Sequence, residues 1–190
     1  MVLRSKQTKQ IPSFTKNEML VRCGLMVALA LVLSIVENLF PLPAPVPGIK
    51  LGIANIVVVL TAYWLGIFPA GIVFLTRVFL AAILTGQLMT LPFSLAGGGL
   101  AFLVIVLFVS FGSSDTLRLC SMCAAVMHNI DQVVVAIALT ATAAIAWYAP
   151  ILIFVGLITG FITGSIAQAL LSYIPSASCS KLSKIKASHD

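Results

Sequence analysis

The sequence predicts an all-α, polytopic membrane protein: a bundle of six transmembrane helices with both chain ends in the cytoplasm. Three observations predict it. Only 8% of the 190 residues are charged while 61% are hydrophobic, whereas a soluble domain carries about 25% charged residues. Apolar runs of roughly bilayer length follow one another, separated by proline and glycine. Lysine and arginine gather on one side of the alternating connections. Six spans of ~20 residues take up ~120 residues, so the chain reads as one domain with two basic tails, 1–22 and 174–190, around a membrane domain over 23–173.

The elements follow in order. Residues 1–22 read as a polar, basic tail. The first helix is expected from about Cys23 to Phe40, longer than the ~7–15-residue core of a cleavable leader. Pro41, Pro43, Pro45 and Pro47 then end it, since each lacks an N–H and restrains its predecessor. The second helix covers about Leu51 to Leu65 and is among the shortest; Gly66 and Pro69 break the chain again. The third covers about Ala70 to Leu84. The fourth runs from Pro92, a residue tolerated in a first helical turn, to Phe111. Gly112–Ser113–Ser114–Asp115 is a loop signal. The fifth runs from about Leu119 to Ile145, with Trp147, Tyr148 and Pro150 marking an interfacial turn. The sixth spans Ile151 to Tyr173, and Pro175 opens the tail.

Orientation follows from the basic residues. With the N-terminus inside, the inner segments hold Arg4, Lys6, Lys9, Lys16, Arg22, Arg118, Lys181, Lys184 and Lys186, while the outer segments hold Lys50 alone. Such asymmetry predicts an N-in, C-in arrangement in the cell membrane and an even helix count. The formal net charge of +6 therefore reads as a topology signal at the edges of hydrocarbon-length segments, not as a nucleic-acid footprint.

Ionisable residues within apolar segments cost about 2.5–3.5 kcal/mol each to insert, so they tend to face a cavity or one another. Glu37, Lys50, Arg77 and Asp131 are the four here, with formal charges that sum to zero. The densest polar cluster is His128–Asn129–Ile130–Asp131–Gln132 on the fifth helix. At 100° per residue, His128, Asp131 and Gln132 share a face with Asn129 at its margin. Ser121 and Ala124 lie on the same side and leave room for a close helix or a ligand, while the bulkier Val135 places the open space toward the inner half. Comparable depths along the third and fifth helices suggest an Arg77–Asp131 ion pair. Glu37, Asn38, Lys50 and Asn55 flank the proline segment and are expected at the outer mouth, with 41–50 as a cover. The alternative for all of these is hydrogen-bonded glue between helices or snorkelling to the interface. Gly156, Gly160 and Gly164 recur every four residues on the sixth helix and predict a close helix–helix contact; Ala30 and Ser34 form a weaker version on the first.

Several chemistries are argued against. Cys120 and Cys123 form a lone C-x-x-C with no second pair to complete a zinc site. No P-loop is present. The three aspartates, Asp115, Asp131 and Asp190, are scattered, so no adjacent pair could hold magnesium against a diphosphate. No catalytic triad or metalloprotease pattern occurs. We expect no catalytic residue, metal or cofactor.

The run Glu37-Asn-Leu-Phe-Pro-Leu-Pro-Ala-Pro-Val-Pro-Gly-Ile-Lys-Leu-Gly-Ile-Ala-Asn55 resembles the signature of the Gx transporter family, which also carries the description heptaprenyl diphosphate synthase component I. Arg77, Ser94-Leu-Ala-Gly-Gly98 and Ala125-Val-Met-His-Asn-Ile-Asp-Gln132 add to the resemblance, which covers about residues 20–173. Such proteins would carry a small residue at position 131, and Asp131 departs from that. The family in turn resembles the substrate-binding S components of energy-coupling-factor (ECF) transporters. That resemblance implies a six-helix bundle that binds a small molecule from outside, with a transmembrane coupling subunit and two ATPases as partners.

On this reading Glu37, Asn38, Lys50, Asn55, Arg77, His128, Asn129 and Gln132 line the site for an unidentified small molecule, anionic or related to isoprenoids or quinones. The other description implies a non-catalytic membrane component that works with a soluble prenyl synthase subunit in heptaprenyl diphosphate or menaquinone biosynthesis. A third reading is a proton-coupled carrier using Asp131 and His128.

Overall fold

The structure is a computed structural model that describes residues 15–39, 52–111 and 116–173. The proline segment with Lys50, the 112–115 loop signal and the tail after Tyr173 lie outside the described residues.

Helix α1 spans Lys16–Leu39 and begins seven residues before the apolar run, inside what the sequence suggested was a tail. The cause is a reciprocal cap. The Glu18 N–H donates to Thr15 Oγ1 and the Thr15 N–H donates to Glu18 Oε2, both at 3.3 Å, so two N–H groups with no intrahelical partner are satisfied. Arg22 then lies over the Trp64 ring, 5.1 Å from its centre.

Helix α2 spans Asn55–Trp64. It starts four residues later than expected because Gly52, at φ +76°, turns the chain just before it. Ten residues reach ~15 Å, about half of a ~30 Å hydrocarbon core. Among the described residues, five other helical segments are long and apolar enough to cross a membrane, and the expected sixth full span is a half-length helix there. It ends where the Leu65 and Gly66 N–H groups both close onto the Thr61 carbonyl.

Helix α3 spans Ile67–Thr85, taking Pro69 into its first turn, where the missing N–H costs nothing. Gly86, in the left-handed region, terminates it. A single 3-10 turn, Leu88–Thr90, leads into α4, Leu91–Phe111. Helix α5 spans Leu117–Thr140 and stops five residues earlier than expected, at Ala141 with φ +52°. There the Thr142 hydroxyl donates to the Thr140 carbonyl at 3.0 Å, satisfying one of the acceptors a helix end exposes. A 3-10 segment, Ala143–Tyr148, carries the exposed Trp147 into α6, Ala149–Tyr173.

Packing inverts the distribution of a soluble protein. Leu25, Leu29, Val32, Phe79, Ile83, Leu103, Leu107, Phe154 and Phe161 are exposed, whereas Glu37, Asn55, Arg77, His128, Asn129 and Gln132 are buried. A broad apolar exterior around a polar interior is what lipid as solvent selects. The chain is therefore a multi-pass membrane protein. Threonines on α6 return their hydroxyls to the preceding turn, Thr159 to Val155 O at 2.9 Å and Thr163 to Thr159 O at 2.8 Å, so none is left unsatisfied in an apolar setting.

Helix α5 is the hub, packed most closely on α6 and α4. The glycine stripe meets α5: a Cβ on Gly160 would sit 2.6 Å from Met122 Cα, and one on Gly164 would sit 2.9 Å from Ser121 Cβ. The partner of the stripe is thus internal. The same contact fills the space beside Ser121, and Ala124 joins the apolar core formed with Val58, Ala62 and Ala167. The expected open room at Ser121 and Ala124 is therefore closed by α6 and the core.

Candidate functional site

The polar groups of four helices converge on one small cavity. It is lined by Ser34 and Glu37 of α1, Gly52 before α2, Arg77, Val78 and Ala81 of α3, Ser94 of α4 and His128 of α5. Its volume is about 20 Å³, enough for one water molecule. Because Glu37 stands near the end of α1, Ala81 in the second half of α3 and Ser94 in the first turn of α4, the cavity lies toward the end of the bundle where α1 and α3 finish. That is the side of Val135, not of Ser121, and it corrects the expectation drawn from side-chain bulk along α5. The stripe on α6 accounts for the difference, since it seals the other half.

Local sequence explains how each group arrives. Met26, Ala30, Ser34 and Glu37 form the buried stripe of α1, at the three- and four-residue spacing of one helix face. Glu37 Oε1 accepts hydrogen bonds from the Gly52 N–H and from the Ile53 N–H, the latter at 3.4 Å. These are N–H groups at the start of α2 that no helical carbonyl can reach. Arg77 Nη2 donates to Asn55 Oδ1 at 3.1 Å, tying α3 to the first residue of α2. Its guanidinium carbon lies 5.9 Å from the centre of the Phe74 ring, which stacks on Phe102 at 5.8 Å. Gly98 makes room for Phe74, since a Cβ there would fall 2.3 Å from its ring.

His128 occupies a slot between two glycines. A Cβ on Gly97 would lie 2.9 Å from its Nδ1, and one on Gly52 would lie 2.9 Å from its Cδ2. Gln132 Nε2 and His128 Nε2 are 3.0 Å apart and share a hydrogen bond. The imidazole is thus fixed in plane and direction by α4, the start of α2 and the next turn of its own helix.

The eight expected binding residues divide. Glu37, Arg77 and His128 line the cavity, Asn55 joins through Arg77, and Gln132 joins through His128. Asn129 turns away and donates from Nδ2 to Leu152 O on α6 at 2.7 Å. Asn38 is half-buried beside the site, with Nδ2 lacking a partner. Lys50 lies outside the described residues. The helical-face reading also needs correcting: Asn129 is 1% exposed and central, while Asp131 is the marginal residue, only partly buried. The buried arc of α5 is shifted toward α6, which draws Asn129 inward. No ion pair joins Arg77 and Asp131 among the described residues. Arg77 instead bonds Asn55 beside Glu37, and Asp131 Oδ2 has no partner.

Sequence reasoning missed Ser34, Gly52, Ser94 and Gly97 as parts of the site. Ser34 carried a usable signal, being three residues from Glu37 on the same face. The glycines, with Ser94, lay inside the runs that carried the resemblance, but their role was not legible there, because it is to admit the ring of a residue thirty or more positions away.

The arrangement presents more donors than acceptors. Among the described residues, Arg77 Nε and Asn55 Nδ2 are buried without partners, and a guanidinium and an amide nitrogen can only donate. The unmet need is for acceptor oxygens. Cys120 is buried and Cys123 exposed, so the C-x-x-C does not present both thiols to one place.

A family model described as heptaprenyl diphosphate synthase component I matches residues 26–170, which is most of the chain and includes every cavity-lining residue. No curated protein and no solved structure matches the chain.

Proposed function

We propose, for a chain that belongs to the heptaprenyl diphosphate synthase component I family, that it is a non-catalytic membrane subunit that binds a small molecule bearing an anionic group inside its helical bundle. The observation that carries this reading is the convergence of Glu37, Arg77, Asn55 and His128 on one buried cavity with unmatched donors. Asn129 spends its Nδ2 on a bond between helices, to Leu152 O. Arg77 Nε and Asn55 Nδ2 are left for something else. Arg77 is the anchor for anionic oxygens, His128 and Gln132 orient a polar edge, and the apolar walls formed by Val78 and Ala81 take a hydrocarbon or ring.

The cavity of about 20 Å³ is far smaller than the ~300–1,000 Å³ of an organic-ligand pocket. Binding therefore requires the bundle to open, which suits a protein that alternates between closed and loaded forms. The sequence resemblance to S components supports a transport role in the cell membrane with both termini cytoplasmic. On that reading a separate coupling subunit and two ATPases supply the energy, since this chain has no P-loop.

Mass spectrometry of small molecules released from the purified protein tests the reading. A retained compound should be lost from Arg77→Ala and from His128→Ala, provided both variants remain folded. Unchanged retention in both variants refutes this site.

The family description favours a second reading: a membrane component that recruits a soluble prenyl synthase subunit. It predicts co-purification with such an enzyme and no small molecule in the bundle.

A further inference from the structure

We infer that the Glu37 carboxylate is a built-in stand-in for the ligand's anionic group, and that a carboxylate or phosphate ligand binds by displacing it from the start of α2. The inference rests on the binding reading above and specifies how that site is regulated.

The anion site is made by a helix that begins inside the bundle. Ten-residue α2 covers only about half the hydrocarbon thickness. Its first residue bonds Arg77, which is the eleventh of the nineteen residues of α3. The positive end of α2 therefore lies within an arginine's reach of the middle of α3. A helix N-terminus buried among side chains attracts negative charge, because burial limits the screening by water. Gly52 makes this possible: its left-handed backbone delivers its own N–H and that of Ile53 to the same oxygen, Glu37 Oε1.

Arg77 supplies the second, independent indication. It is 6% exposed, it lines the cavity beside Glu37 and Gly52, and its Nε has no partner. The Asn55 amide nitrogen beside it is likewise buried and unpartnered. One carboxylate thus occupies a wall built with more donors than it uses. A ligand group with two or three anionic oxygens would satisfy the α2 N–H groups and the guanidinium together.

Glu37 and such a group cannot share the place. The cavity admits one water molecule, and two anions held against one helix end repel each other in a medium that screens poorly. Entry of the ligand therefore expels Glu37. Glu37 is the last residue of the buried stripe of α1, whose other members are Met26, Ala30 and Ser34. Its release uncouples the end of α1 from the start of α2, so occupancy of the site is converted into a movement of α1.

The test uses the full chain in lipid nanodiscs, with inorganic phosphate and butanoate as separate probes in equilibrium dialysis. Glu37→Gln keeps an acceptor oxygen for the Gly52 N–H but removes the competing charge. Folded E37Q should bind at least one probe more tightly than wild type, by roughly 5- to 150-fold, the usual size of such a coupling. Arg77→Gln in the E37Q background should abolish the gain. The probe that gains identifies the ligand as carboxylate or phosphate. Equal or weaker binding of both probes by folded E37Q overturns the inference.

Should E37Q not fold, Glu37→Ala replaces it in the same dialysis. Folded E37A should bind at least one probe more tightly than wild type, and equal or weaker binding of both overturns the inference. A native molecule retained by wild type and lost from Arg77→Ala, with no gain in E37Q, removes the displacement idea and leaves the binding reading standing. No binding of any molecule or probe to any variant removes both.

Discussion

Gly160→Ala is the most direct test of how the interior is built, because α6 is the wall against which α5 packs. A Cβ at position 160 would stand 2.6 Å from Met122 Cα and 2.9 Å from the Ser121 carbonyl oxygen. Both are backbone atoms of α5, so no side chain can rotate aside. Restoring a carbon–carbon contact of ~3.5 Å requires the two helices to part by ~1 Å. That separation also stretches the Asn129–Leu152 hydrogen bond, now 2.7 Å, about two turns along the same interface. Overpacking of this kind costs ~1–3 kcal/mol, and alanine's better helix propensity returns up to ~1 kcal/mol. With that return in full the net loss is ~0–2 kcal/mol, which leaves Gly160→Ala ~1–3 kcal/mol below a glycine-to-alanine change that meets no neighbour. Gly99→Ala is the control: it adds the same methyl group within α4, where nothing lies within 4 Å, so stability should be unchanged or should rise by up to ~1 kcal/mol. Reversible unfolding in mixed micelles, titrated with a denaturing detergent, measures both. If Gly160→Ala is as stable as Gly99→Ala, α5 and α6 are not in backbone contact and this account of the packed half of the bundle is wrong.

Asn129→Ala removes the donor to Leu152 O and should cost ~0.6–1.7 kcal/mol by the same unfolding assay, with binding affected less than by Arg77→Ala; a variant that keeps its stability but loses all binding would place Asn129 in the ligand site instead. Asp131→Asn should leave stability unchanged or raise it, since the carboxylate bonds neither Arg77 nor, at Oδ2, any other described group; a loss of more than ~1 kcal/mol by the same assay would reveal an ion pair.

The membrane character, the all-helical class and the position of most breaks were legible in the sequence because they are local. Eight per cent charge cannot cover a soluble surface, and proline and glycine interrupt helices wherever they fall. The reciprocal cap of Thr15 and Glu18 is equally local. Apolar-run length passed over it, because a cap stabilises a helix regardless of whether the residues after it are apolar. The burial cost of Glu37, Arg77 and His128 likewise marked them as residues that need partners. Which partners they take was decided only in three dimensions. Helical geometry put Asp131 on the inner face and Asn129 at its margin, and the direction from which the Gly156–Gly160–Gly164 stripe approaches α5 reversed that order. Depth along two helices suggested Arg77 with Asp131. The half-length of α2 instead brought Asn55 and its own backbone N–H groups to Arg77 and Glu37. A sequence records what each residue requires, namely burial, an acceptor or a counter-charge. Segments distant along the chain meet those requirements only when packing fixes their separations, and a shift of a few ångströms changes which partner is within reach.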